Sequence, residues 1–396
     1  MFSQEVTILG GGCIGLALAI GLAKQGVKIA LVDGAPEPVK PVEVPDLRVS
    51  AINKTSEQLL RRLGIWENIE EKKKTPYQKM HVWEGDSFAS INFDAPSLML
   101  GELGHIIENR ALQFALFQAL KAYPQVSIKY DTQCKDIQQS DREVLLTLES
   151  GQPIVSQWVF AADGANSFTR RHLHLPMTYW DYDHHAIVAT IRMEEPHGNC
   201  ARQVFWGDGP LAFLPLDDPH LCSIVWSTLP DKAKQLMELS EEGFNRALYV
   251  ASGSSLGELK LEGERSQFPL KMRYARQWLS NRVVLLGDAA HTIHPLAGLG
   301  MNAGLLDVAA LCRIIEKSGI ENLQWRHLRQ YERQQKAQAQ ELILIMEGFK
   351  RLFADDVFPK KVLRGIGLFS VNQFPALKNI FARHAVGQQA NPFNSL

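Results

Sequence analysis

The chain carries two kinds of hydrophobic pattern, and they do not mix. Val6–Leu9 reads as a short buried strand; a glycine cluster follows it, and the stretch Ile14–Gln25 is mostly apolar at helical length. Lys28–Val32 is a second apolar run, closed by Asp33. This order predicts a strand, a helix and a second strand, the opening of a parallel sheet. Further helices are predicted over Ser56–Leu63 and Arg110–Ala122, the latter with Leu112, Leu116 and Leu120 on one face. From Tyr179 to about Leu229 the pattern changes to short runs rich in β-branched and aromatic residues: Ala186–Arg192, Ala212–Leu216 and Leu221–Trp226. Turn clusters at Gly207–Pro210 and Asp217–Pro219 separate them, which predicts an antiparallel sheet and a second domain. Arg282–Gly287 returns to a buried parallel strand, and the last hundred residues read mostly as helix.

Composition narrows the class. A chain of 396 residues exceeds one ordinary domain, so two interleaved domains are expected. Basic and acidic residues nearly cancel, 42 against 43, which leaves no excess for nucleic-acid binding. The five cysteines are scattered and form no CxxC pair, so neither a disulfide framework nor a metal site is expected, and a cytoplasmic location is the simpler reading. Val6–Ala23 is apolar enough for a signal or a membrane span. Glu5 before it and the glycines within it point instead to a soluble chain with no transmembrane segment.

Gly10, Gly12 and Gly15 form a GxGxxG turn between the first strand and the first helix. Gly10 allows the tight turn, Gly12 lets a pyrophosphate approach the backbone, and Gly15 lets helix and sheet close; Ile14 lies in the same turn. Asp33 ends the second strand, where a carboxylate would hold a ribose hydroxyl. The motif alone leaves NAD and FAD open. Three more features bear on that choice. Val159–Ser167 is a strand running into Asp163 and Gly164, with Arg170 and Arg171 beyond. Leu285–His291 is a strand ending at Gly287 and Asp288, followed by Pro295 and by Gly298-Leu299-Gly300-Met301-Asn302. Asp46-Leu47-Arg48 sets one basic residue in an apolar stretch.

Together these motifs resemble the group A flavoprotein aromatic hydroxylases. The resemblance implies an α/β fold: a Rossmann-like FAD-binding domain of the para-hydroxybenzoate-hydroxylase type, an interleaved antiparallel substrate domain and a helical C-terminus. The expected boundaries are 1–75, 101–175 and 270–345 for the FAD domain, 76–100 and 176–269 for the substrate domain, and 346–396 for the C-terminal segment. The family pattern carries Asp288 to the phosphate–ribityl part of FAD, and Gly300, Met301 and Asn302 to the pyrimidine edge of the flavin. It carries Arg48 and Arg110 to the pyrophosphate, and it places Asp163 in the cofactor site. Leu299 stands where the family usually has Gln, which bears on any polar contact from that side chain. The stretches Pro45–Asn53, Ala161–Asn166, Gly287–Gly298, Tyr179–Arg192 and Leu211–Trp226 are more narrowly similar to the ubiquinone-biosynthesis hydroxylases, in particular the 2-polyprenylphenol hydroxylase branch.

That resemblance implies hydroxylation of a polyprenylated phenol, 2-polyprenylphenol to 2-polyprenyl-6-hydroxyphenol. It also implies FAD as the cofactor and molecular oxygen as the co-substrate, trapped on the reduced flavin as a C4a-hydroperoxide. No second GxGxxG unit offers the reductant a separate pocket, so NAD(P)H and an external electron carrier both stand. Pro295 is expected to wall the reacting face. His291 and His294 would act either on the substrate side or as hydrogen-bonded structural residues. The aromatics Trp180, Phe205, Phe213 and Trp226 read either as pocket lining or as plain core. Segment 357–396 holds no acidic residue and mixes Lys360, Lys361, Arg364, Lys378 and Arg383 with apolar groups. Peripheral contact with an anionic membrane, contact with other ubiquinone-biosynthesis proteins and a helix packed on the FAD domain are its three readings. The competing functions are another FAD-dependent oxidoreductase of the same superfamily, acting at a different ubiquinone-ring position or as a prenyl reductase or halogenase, or a non-catalytic scaffold subunit of the biosynthetic complex.

Overall fold

The computed structural model describes residues 2–86, 90–254, 256–292 and 299–353. Its first sheet has a parallel centre, with strands ordered Val283–Leu285, Pro153–Ala161, Phe2–Leu9 (β1), Ile29–Val32 (β2) and Val126–Lys129. The predicted opening forms as read: β1 leads into the helix Cys13–Ala23 (α1) and back to β2. Every residue of α1 from Gly15 to Ala23 is buried, because the helix is covered by the sheet on one side and by Asn109–Leu120 and Leu299–Ser318 on the others. A helix buried all round has no polar face, which is why the sequence shows an unbroken apolar run there.

The second sheet has eight strands and holds the whole of the region expected to be antiparallel. Its spine is the pair Met177–Met193 and Leu259–Ala275, each 17 residues long. Cys200–Trp206 pairs parallel to Lys79–Glu84, an exception made by the crossover between distant segments. The strand Leu259–Ala275 runs past position 269 and pairs at its end with His291–Thr292, so it stitches the second sheet to the cofactor half of the chain. A small three-stranded sheet, Val49–Asn53 (β3), Gly104–Glu108 and Lys74–Tyr77, lies between the two larger ones.

Period-2 alternation gives the second sheet two apolar faces. One face, with Ile187, Ala189, Leu211, Phe213, Ile224 and Trp226, packs under the helices Pro230–Glu238 and Glu241–Ala251. Phe213 and Trp226 are therefore core of the second domain, while Trp180 is half exposed. The other face brings Ala201, Leu214, Leu216 and Leu221 against Ala51, Tyr77 and Ile106 of the small sheet. Among the described residues no helix is long and apolar enough to cross a membrane. Pro295, His294 and the basic segment 357–396 lie outside the described residues.

Candidate active site

The glycine turn is shaped by contacts that leave no room for side chains. A Cβ on Gly10, whose φ is +107°, would meet the Ala162 carbonyl oxygen at 2.3 Å, and one on Gly15 would meet the Gly10 carbonyl oxygen at 1.9 Å. Gly12 differs: nothing lies within 4 Å of its Cβ position, so this part of the turn faces open space at the start of α1. The Asp33 carboxylate closes the turn from the end of β2. It accepts from the Gly11 N–H and, at 2.6 Å, from the Ala35 N–H. Gln113 Nε2 and the Tyr130 hydroxyl reach the Gly11 carbonyl, at 3.0 and 3.5 Å. Cys13 is desolvated, its thiol pushed up to about 12, which makes it a packed side chain and not a redox thiol.

Beside this turn Asp46 organises two arginines. Its carboxylate accepts from the Arg48 N–H at 3.2 Å and the Arg110 N–H at 3.1 Å, and it lies 3.8 Å from Arg110 Nε. Its own N–H donates to Glu108, which is paired with Lys73 at 3.2 Å. Both arginine side chains are exposed, and the Arg48 guanidinium lies 5.6 Å over the Phe268 ring, bridging from the cofactor half to the second sheet. Asp46, Glu108 and Gln113 carry this arrangement, and the sequence reading did not single them out. The quoted Asp46-Leu47-Arg48 was the one signal, since an aspartate bonding the N–H two residues on is a common turn device.

On the third side, the strand Pro153–Ala161 ends near Asp163, which accepts from Thr169 N–H and Thr169 Oγ1, both at 2.9 Å, on one oxygen. The other oxygen is buried without a protein partner. Gly287 and Asp288 follow the strand Val283–Leu285. Asp288 is exposed yet hemmed in by protein, as on the floor of a cleft, and this desolvation raises its pKa against the pull of His291, Arg48 and Arg273. Ile14 packs against Gly287 and Gly304. Gly300, Met301 and Asn302 form the first turn of Leu299–Ser318. Asn302 is 3% exposed, and its side chain accepts from Asn53 N–H at 3.0 Å and donates to the Ala51 carbonyl at 2.7 Å. It thus ties the helix to β3. His291 is also buried, with Nε2 2.8 Å from Asp307 Oδ2 and its ring stacked on Trp278. Burial works to lower its pKa, but attraction and hydrogen bonding from Asp307, with Asp288 behind, raise it above the ordinary histidine value.

A separate cluster sits behind β3. Glu57, Glu102 and His105 come within 4.8 Å of one another, and the Lys54 ammonium bridges the two carboxylates. Burial would raise the Glu57 pKa, but hydrogen bonds from His105, Lys54 and Arg61 bring it down to about 2. A depressed carboxylate adds stability that is present above its unfolded pKa, about 4.3, and is lost as pH falls through its folded value. Glu57→Gln should therefore unfold at lower urea than the parent at pH 7. The gap should close between about pH 4.5 and 2; urea midpoints that differ equally at both ends of that range would contradict it.

The open turn at Gly12, the exposed Asp288 and the exposed arginines offer donors and acceptors of the kind a dinucleotide needs. The FAD binding domain family matches residues 3–344. The chain is 33% identical over 387 residues to the 3-demethoxyubiquinol 3-hydroxylase of Escherichia coli, covering 97% of this chain and 98% of that protein. It is 31% identical over 386 residues to the ubiquinone hydroxylase UbiL of Rhodospirillum rubrum, covering 97% and 89%. The p-nitrophenol 4-monooxygenase PnpA of Pseudomonas putida shares the fold at a TM-score of 0.80 and 19% identity, with 99% of each chain covered. This chain is an FAD-dependent aromatic-ring monooxygenase that belongs to the FAD binding domain family and, within it, to the ubiquinone hydroxylases.

Proposed function

We propose that this enzyme hydroxylates the ring of a polyprenylated phenol in ubiquinone biosynthesis, with 2-polyprenylphenol as substrate and 2-polyprenyl-6-hydroxyphenol as product. The observation that carries this reading is the likeness, over 97% of this chain, to two ubiquinone hydroxylases. The names of the relatives support the pathway and leave the ring position to experiment.

In this reading Gly10, Gly12, Ile14, Gly15 and the α1 N-terminus cradle the FAD pyrophosphate, and Asp33 takes a ribose hydroxyl. Arg48 and Arg110 offset phosphate charge. Asp163 and Asp288 accept hydroxyls of the ribityl chain or ribose, and the backbone at Gly300, Met301 and Asn302 meets the flavin edge. Bound FAD, reduced by NAD(P)H or an electron carrier, supplies the oxygen chemistry; the protein binds, orients and excludes water. A second reading, hydroxylation of 3-demethoxyubiquinol, is favoured by the identity to the Escherichia coli enzyme of that name.

The test is to feed the FAD-loaded enzyme, with NAD(P)H or a chemically reduced carrier, short-tailed analogues of both substrates. Mass spectrometry then reads the addition of one oxygen atom. A hydroxylated prenylphenol is the expected result. Turnover of the demethoxyubiquinol analogue alone selects the second reading, and flavin reoxidation with neither product overturns both.

A further inference from the structure

Asp288 sits in the turn Gly287 to His291, and one carboxylate oxygen holds both ends of that turn. Asp307 Oδ2, from the helix Leu299–Ser318, accepts the Gly287 N–H at 2.8 Å and lies 2.8 Å from His291 Nε2. Asp307 is 1% exposed and His291 3%. The middle of the turn is held as well. Arg170 Nη1 donates to the Ala289 carbonyl at 2.9 Å, and the Ala275 N–H donates to the Ala290 carbonyl at 2.8 Å. Trp278 stacks on the His291 ring with centroids 5.0 Å apart, and the Trp278 N–H donates to Glu332 on the following helix. Every residue of the turn other than Asp288 is thus held by another element, while Asp288 is exposed.

Burying a charged pair adds little net stability compared with apolar packing of the same volume. What two hydrogen bonds to one oxygen do supply is direction. We infer that Asp307 and His291 are positioning residues for FAD: they fix the Gly287–His291 turn so that the Asp288 carboxylate is already placed when the cofactor arrives. This inference rests on the assignment of Asp288 to FAD proposed above. Binding gains because the turn need not be ordered at that moment, the same logic by which outer groups hold ligands in place around a site. The helix that carries Asp307 also begins at Gly300–Asn302, so one element sets both the turn and the flavin edge.

The test uses the full chain, stripped of cofactor and titrated with FAD by quenching of flavin fluorescence. The variants are His291→Leu, His291→Gln, Asp307→Asn, Asp288→Ala and the double variant Asp288→Ala/Asp307→Asn. His291→Asn, too short to reach Asp307, replaces the leucine variant if that one does not fold. Far-ultraviolet circular dichroism of each apoprotein reports folding independently. His291→Leu and Asp307→Asn should weaken FAD binding about tenfold or more, the cost typical of losing an outer positioning partner. Glutamine keeps a donor near the Nε2 position, so His291→Gln should stay within about threefold of the parent. Asp307→Asn should add little once Asp288 is alanine. Parent-like affinity in His291→Leu while Asp288→Ala is weakened overturns the positioning role alone. Equal losses from Asp307→Asn with and without Asp288 also overturn it, since the pair then acts elsewhere. Parent-like affinity in Asp288→Ala overturns the assignment of Asp288, and the inference with it.

Discussion

Gly15→Ala should yield a protein that neither holds FAD nor folds stably, whereas Gly12→Ala should fold like the parent and lose only the cofactor. The two glycines lie three positions apart but meet different surroundings. At Gly15 a methyl group would sit 1.9 Å from the Gly10 carbonyl oxygen, which is backbone and has no rotamer to yield. Helix α1 would have to move away from β1, and α1 belongs to the largest apolar cluster among the described residues. Overpacking of a core with flexible side chains costs about 1–3 kcal/mol, and a backbone collision should reach the upper end or beyond. At Gly12 the added methyl meets no protein atom within 4 Å and occupies the space proposed for the pyrophosphate. Thermal melts of both apoproteins, paired with FAD titrations, separate the two effects. If Gly12→Ala binds FAD as the parent does, the glycine turn is not the phosphate cradle.

Trp278→Ala should be the most damaging single truncation outside the glycine turn. Trp278 is fully buried, its indole N–H donates to the Ala275 carbonyl at 2.8 Å, and its ring contacts Tyr274, His291 and Tyr331. Truncating a buried tryptophan costs about 3–5 kcal/mol through lost contacts and the cavity left behind. The residue also joins the strand Leu259–Ala275 to the following helix and to the turn that carries Asp288. The thermal midpoint should therefore fall by roughly 10 °C. Trp325→Ala, at an exposed tryptophan, should change stability by about 0.5 kcal/mol or less. Equal melting temperatures for the two variants would contradict the placement of Trp278 at this junction.

The sequence was legible wherever chemistry is local. The apolar runs, the glycine turn and Asp33 specified the strand, helix and strand of the opening, because a fully buried strand, a tight turn and a buried helix each impose a short-range rule on residue type. The return to a parallel strand before Gly287 was legible for the same reason, although it forms over Val283–Leu285, shorter than the Arg282–Gly287 expected. The helix expected over Arg110–Ala122 forms over Asn109–Leu120.

Only the tertiary structure decided which side chains serve the site and which hold it. The second sheet has two apolar faces that alternate along each strand, Phe213 on one and Leu214 on the other, and nothing in the pattern tells which looks toward the cofactor half. Asn302 is expected at the flavin edge, and its amide ties that helix to Ala51 and Asn53, some 250 positions earlier in the chain. His291 was open between two roles until Asp307 and Trp278 came to flank it from separate elements. Arg48 found Phe268 across the domain boundary. Local sequence fixes turns and periods because it governs backbone torsion and the burial of neighbouring positions. Partners brought together from distant segments depend on how sheets twist and helices dock, and that is settled only when the whole core closes.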